Sequence, residues 1–188
     1  AMLKVLLVND TNKQVGRLRT ALIQAGCEVV EEVTSALMIP KRVAELKADV
    51  VIIDTESPSR DVLEQICVVT QDEPRPIVMV SEDTQPAAIK AAIKAGVSAY
   101  VVEDIDVARL SAVLEVAQAR FEQDQALMSQ IRQAESKLNE RKVVERAKGI
   151  LMQLRGMTES EAYHAMRKMA MDRNIRIVDV AQKLLAMN

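Results

Sequence analysis

Between Ile105 and Lys148 the chain has neither proline nor glycine, and no other feature restricts its fold as much. The stretch is rich in Ala, Gln, Glu and Arg, residues that give up little freedom on entering a helix, so it predicts one long helix starting near Asp106. At about 1.5 Å per residue, 35 such residues would run for about 50 Å, too far to pack wholly on one small domain. Within it, Leu127, Ile131, Ala134 and Leu138 recur at alternating steps of four and three, the spacing of a coiled-coil seam, and predict a homodimer through this helix. Val113 and Ala117 keep the register upstream, while Arg120 and Asp124 break it. The competing arrangement is a helix folded back on its own neighbouring domain.

Ahead of that helix, apolar runs alternate with amphipathic ones. Strands are expected at Leu3–Val8, Glu28–Val33, Val50–Ile53, Pro76–Val80 and Ala99–Val102. Helices are expected at Lys13–Ala25, Ser35–Leu46, residues 60–71 and Gln85–Ala95. Runs such as Val50-Val51-Ile52-Ile53 lack the polar alternation of a half-solvated strand, so they predict a parallel sheet covered on both faces. In such a sheet, polar residues at the carboxyl ends of the strands meet in one crevice, however far apart they are in sequence. Here they are Asn9, Asp10, Asp54, Thr55 and Ser81. Two carboxylates beside a hydroxyl could hold Mg2+ through Asp10 and Asp54 and bring a phosphoryl group to Asp54.

This arrangement resembles the receiver domain of two-component response regulators, over about residues 2–120. The resemblance implies a flavodoxin-like five-stranded sheet, with Asp54 as the phosphoacceptor-like position, Asp10 at the metal and Ser81 at the phosphoryl oxygens. Two positions depart from the pattern. Asn9 stands where receivers carry the first of two acids, and Glu103 stands where they carry a lysine. A carboxylate at 103 would repel a phosphorylated aspartate rather than neutralise it, so a pseudo-receiver is expected.

Beyond the long helix the charge changes sign. Residues 1–137 hold 15 Lys and Arg against 21 Asp and Glu, whereas residues 138–188 hold ten against six. The acidic part is a poor partner for nucleic acid, and the basic part is a suitable one. Three short helices are expected there. In the first, Arg141–Met152, Val144, Ala147 and Leu151 form an apolar stripe opposite a basic face. The second opens at Thr158 and Glu161, which have capping-box spacing, and ends at Asn174. The third runs from Ile177 to Met187. Met152, Met166, Met169 and Met171 are expected to fill their shared core, and Gly149, costly inside a helix, predicts close approach of another backbone.

The run Arg146-Ala147-Lys148-Gly149-Ile150-Leu151-Met152, followed by Gly156, Glu161, Ala162, Tyr163, Arg167, Ala170, Met171, Asp172, Asp179, Val180, Ala181, Leu184 and Leu185, closely resembles the ANTAR domain. That domain is the RNA-binding module of bacterial transcription antiterminators of the AmiR and NasT family. Within that family the chain is most similar to the nitrate- and nitrite-responsive, NasT-like members. The resemblance implies a non-enzymatic regulator that binds hairpins in a leader mRNA and prevents terminator formation. It also implies that a NasS-like nitrate-sensing protein sequesters the regulator until nitrate or nitrite releases it. Duplex RNA hides its base edges, so recognition concentrates on phosphates and splayed loop bases. Arg141, Lys142, Arg146, Lys148, Arg155, Arg167, Lys168, Arg173 and Arg176 are candidates for phosphate, and Tyr163 for a base. His164 has no neighbouring ligand set.

The expected organisation is therefore a receiver-like domain at 2–120, a long helical linker at 106–140 and an ANTAR module at 138–188. Two alternatives remain: a response regulator whose last helices bind DNA, and a protein-interaction module without nucleic-acid binding. Cys27 and Cys67 form no ligand cluster, and no secretory leader or apolar membrane span is evident, so a cytoplasmic protein with free thiols and no cofactor is expected. Ala1, ahead of Met2, is set aside.

Overall fold

The computed structural model describes residues 2–12, 16–102 and 106–188. The chain divides into two compact units, Ala1–Asp124 and Gln125–Asn188. In the first, strands β1 (Leu3–Asp10), β2 (Cys27–Val33), β3 (Val50–Thr55), β4 (Ile77–Ser81) and β5 (Ala99–Val101) alternate with helices α1 (Gly16–Gln24), α2 (Ile39–Leu46), α3 (Arg60–Asp72) and α4 (Pro86–Ala95). All pairings are parallel, in the order β2-β1-β3-β4-β5. This is the parallel sheet that the apolar runs predict, in the five-stranded, flavodoxin-like form that the receiver resemblance implies. The expected helix from Ser35 begins as a single 3-10 turn, Ala36–Met38, and becomes α-helical only where Pro40 fixes the first turn.

Strand residues point to alternate faces, so each buried strand feeds two cores. Leu6, Val8, Val51 and Ile53 pack with Ile39, Val43, Ile66 and Val69 under α2 and α3. Val5, Leu7, Val50 and Ile52 pack instead with Ala21 and Leu22 of α1 and with Leu110, Leu114 and Ala117. These last three belong to α5, a single helix from Val107 to Arg155. Ala117, which keeps the seam register in the sequence, is thus buried in the receiver core, and Val113 is half-buried against it. The back-folded arrangement holds for this first stretch of α5. From 126 to 139 every residue is exposed.

The second unit contains the end of α5, then α6 (Glu159–Arg173) and α7 (Ile177–Ala186). The expected short first helix is therefore the last part of a 49-residue one: nothing between 140 and 141 interrupts the helical hydrogen bonding. Ala147, Leu151, Ala162, Met166, Ala170, Val180 and Ala181 form its core. Thr158 and Glu161 complete the capping box, and Asn174 ends α6 in the left-handed region at φ 52°. Two expectations are corrected here. Met152 and Met171 are exposed, leaving Met166 buried and Met169 half-buried as core filler. A Cβ at Gly149 would meet no atom of a neighbouring segment within 4 Å, so no backbone approaches it closely. Among the described residues, no helix is long and apolar enough to cross a membrane.

Candidate nucleic-acid interface and acid pocket

Register brings the polar strand ends together. Asn9 lies beside Asp54, Asp10 beside Thr55, and Thr55 beside Ser81, at the point where the strand order reverses between β1 and β3. The Asn9 side-chain carbonyl accepts from the Thr11 backbone N–H at 3.1 Å and from its hydroxyl at 2.6 Å. The Thr55 hydroxyl donates to Asp10 Oδ2 at 3.3 Å and to the Ser57 carbonyl at 3.1 Å. Asp10 and Asp54 are the two carboxylates at these strand ends. Among the described residues, no group of three His, Cys, Asp or Glu side chains could hold a metal. Two carboxylates suit Mg2+ only when the ion keeps much of its water shell. Glu103 lies outside the described residues.

Ser81 is buried and already bonded: its hydroxyl donates to the Glu56 carbonyl at 3.0 Å and accepts from the Asp83 N–H at 3.2 Å. Asp83 in turn accepts from the Ser57 hydroxyl at 2.6 Å, and its backbone carbonyl accepts from Tyr100 Oη at 2.7 Å. The Ser57 hydroxyl and the Gln85 N–H hold the Asp83 carboxyl below the usual aspartate range. The loops after β3 and β4 are thus tied to each other across the pocket mouth. Sequence reasoning identified Ser81 but not Ser57, Asp83 or Tyr100. Asp83 lies two residues beyond a strand end, where only the loop's conformation turns it back.

The basic candidates of the second unit separate into groups. Arg141, Lys142, Arg146, Arg155, Arg167, Lys168, Arg173 and Arg176 are exposed. Lys148 is not: it is 7% exposed, with Nζ at 2.8 Å from Glu145 and 3.1 Å from Glu159. Its pKa is raised, first by the hydrogen bond to Glu145 and then by that to Glu159. The same ammonium stands 5.9 Å from the Tyr163 ring centroid, close enough for a cation–π contact. Tyr163 is 41% exposed and outside the module's core. His164, also exposed, meets its ring edge-on at 6.2 Å.

Arg176 pairs with Glu140 at 2.6 Å, which raises its pKa and ties the head of α7 to α5. Arg141, Lys148, Tyr163 and Arg176 therefore surround one groove. Lys142 and Arg146 lie about 100° and 140° around α5 from Arg141, on another side of the helix. Lys137 also lines the groove; its spacing of four from Arg141 was the signal that could have found it. Along the seam, Leu127, Ile131 and Leu138 are each about half exposed, and Ala134 is exposed.

The chain matches the response regulator receiver domain over residues 5–115 and the ANTAR domain over residues 132–185. It is 31% identical over 182 residues to the transcriptional regulatory protein PdtaR of Mycobacterium tuberculosis, spanning 97% of this chain and 89% of that one. Over 61 residues it is 48% identical to the nitrate regulatory protein of Klebsiella oxytoca, spanning 32% of this chain and 15% of that one. The signal receiver domain of a modulated diguanylate cyclase from Desulfovibrio desulfuricans superposes with a TM-score of 0.57 at 17% identity, covering 66% of this chain and 99% of that domain. That likeness concerns the fold alone.

Proposed function

The chain belongs to the response regulators that join a receiver domain to an ANTAR domain, and from this we propose a transcription antitermination regulator that binds hairpins in leader mRNA. It acts in the cytoplasm by binding and performs no chemistry of its own. The observation that carries the reading is the placement of Tyr163. The module's core is aliphatic, built of Ala, Leu, Ile, Met and Val, and its one tyrosine ring is left partly on the surface, with exposed Arg141 and Arg167 on the adjacent helix faces. Planar groups beside cations suit loop bases and phosphates.

The input is a protein contact rather than phosphorylation of Asp54. In support, the Ser81 hydroxyl is committed to the Glu56 carbonyl, and the sequence has Glu103 where a counter-charge would stand. Nitrate or nitrite control, through release from a NasS-like sensor, is the finer reading. Its support is the short stretch of high identity to the Klebsiella oxytoca nitrate regulatory protein. Dimerisation through Leu127, Ile131, Ala134 and Leu138 completes the proposal: those side chains lie on a run of α5, 126–139, in which every residue is exposed.

A gel-shift titration of the full chain against a leader RNA with two adjacent hairpins, and against duplex DNA at matched salt, tests it. Tight binding to the RNA alone, weakened in the Arg141→Ala, Arg146→Ala double variant, is expected. Equal, weak, steeply salt-dependent binding to both would leave only a generic basic patch and sink the reading.

A further inference from the structure

The groove between α5 and the head of α7 has a volume of about 320 Å3. That is the small end of the roughly 300–1,000 Å3 typical of small-ligand sites: room for one nucleotide, with no length for a peptide helix or a duplex. On α5 it is lined by Lys137, Arg141 and Val144, which follow one another at steps of four and three along one stripe. Ile177 and Val178 from α7 and Tyr163 from α6 complete the lining that matters here.

Its charges sort themselves by pairing. Glu140 is taken by Arg176 at 2.6 Å and Glu145 by Lys148 at 2.8 Å, so both carboxylates of the groove are neutralised within the module. Lys137 and Arg141 are exposed and have no hydrogen-bond or ion-pair partner among the described residues. The groove therefore offers an apolar floor, a partly exposed aromatic ring and two uncommitted cations, with no uncommitted carboxylate. A metal ion would be repelled by those cations. An acidic peptide would satisfy them but would leave the ring and floor without a planar partner. A nucleoside phosphate matches all three features at once.

We propose that this groove holds one unpaired nucleotide of the bound RNA, its base against Tyr163 and the Val144, Ile177 and Val178 floor, its phosphate on Lys137 and Arg141. The assignment rests on the RNA-binding reading and makes it specific. It also changes the part played by Lys148. With its ammonium held by Glu145 and Glu159 and standing over Tyr163, it is a positioning residue for the ring and not a phosphate contact.

The test uses the full chain with three probes: an RNA hairpin whose open loop carries 2-aminopurine at each position in turn, the same stem closed by a tight tetraloop, and AMP. Tighter binding of the open-loop hairpin is expected, with fluorescence quenched at one loop position. Tyr163→Ala should weaken that binding roughly ten-fold and remove the quench, while Tyr163→Phe retains both. The Lys137→Ala, Arg141→Ala double variant should weaken binding and reduce the salt slope by about two. Circular dichroism checks that each variant is folded. Equal affinity for the open and closed hairpins, unchanged by Tyr163→Ala, would overturn the groove while RNA binding itself stood. Failure of every RNA to bind would remove the RNA reading and this proposal with it. Saturable, Tyr163-dependent binding of AMP in that case would assign the groove to a free nucleotide instead.

Discussion

Lys148 on α5 and Glu159 at the head of α6 meet at 3.1 Å across eleven residues of sequence, and Glu145 joins them from one turn back along α5. A lysine at a basic-face position thus becomes the internal tie of the module. Its pKa is raised in the folded chain, so its stabilisation is whole below the ordinary lysine value of 10.5 and is lost as pH rises through the higher folded value. Lys148→Met should lower stability at neutral pH by about 1 kcal/mol or less, since both carboxylates are largely exposed. Thermal melts of the two proteins should converge above the lysine range; a constant gap there would show that packing, not charge, made the difference.

Gly149→Ala should raise stability by about 0.5–1 kcal/mol, because the position is mid-helix and a methyl group meets no neighbouring segment. Urea denaturation measures this directly. A stabilised variant that no longer binds RNA would mean that the bare backbone at 149 serves an approaching partner.

The exposed stripe on α5 should hold two copies together. Sedimentation of the Ile131→Glu, Leu138→Glu double variant should give a monomer at concentrations where the parent is a dimer, with the receiver's melting unchanged, because neither side chain touches its core.

Asp83 should titrate below ordinary aspartates, its largest cause being the Ser57 hydroxyl. A depressed folded pKa contributes stability that is present above the unfolded value and lost as pH falls through the folded one. Ser57→Ala should therefore remove this tie between the loops, move the carboxyl's NMR titration midpoint upward and make the protein's stability less sensitive to acid. An unmoved midpoint would assign the depression to the Gln85 N–H alone.

The sheet was legible because a strand buried on both faces needs an unbroken apolar run. Val50–Ile53 has no other economical use, and strand-end residues then fall into one pocket by topology. The tie at Lys148 was not legible. Helical periodicity groups that lysine with the basic face, and only the return of α6, bringing Glu159, covers it. Ala117 was left open between two arrangements for a related reason. The same spacing serves a seam between helices and a helix lying on a sheet, so periodicity states that a face is covered without stating by what.

The chain has two tyrosines and no tryptophan, and the fold places one ring in each unit: Tyr100 bonded to the Asp83 carbonyl and Tyr163 beside the groove. Its ultraviolet emission is therefore a pair of built-in probes. In Tyr100→Phe the signal comes from the helical module alone, and in Tyr163→Phe from the receiver alone, so an unlabelled protein can report which half responds first when a partner or an RNA is added.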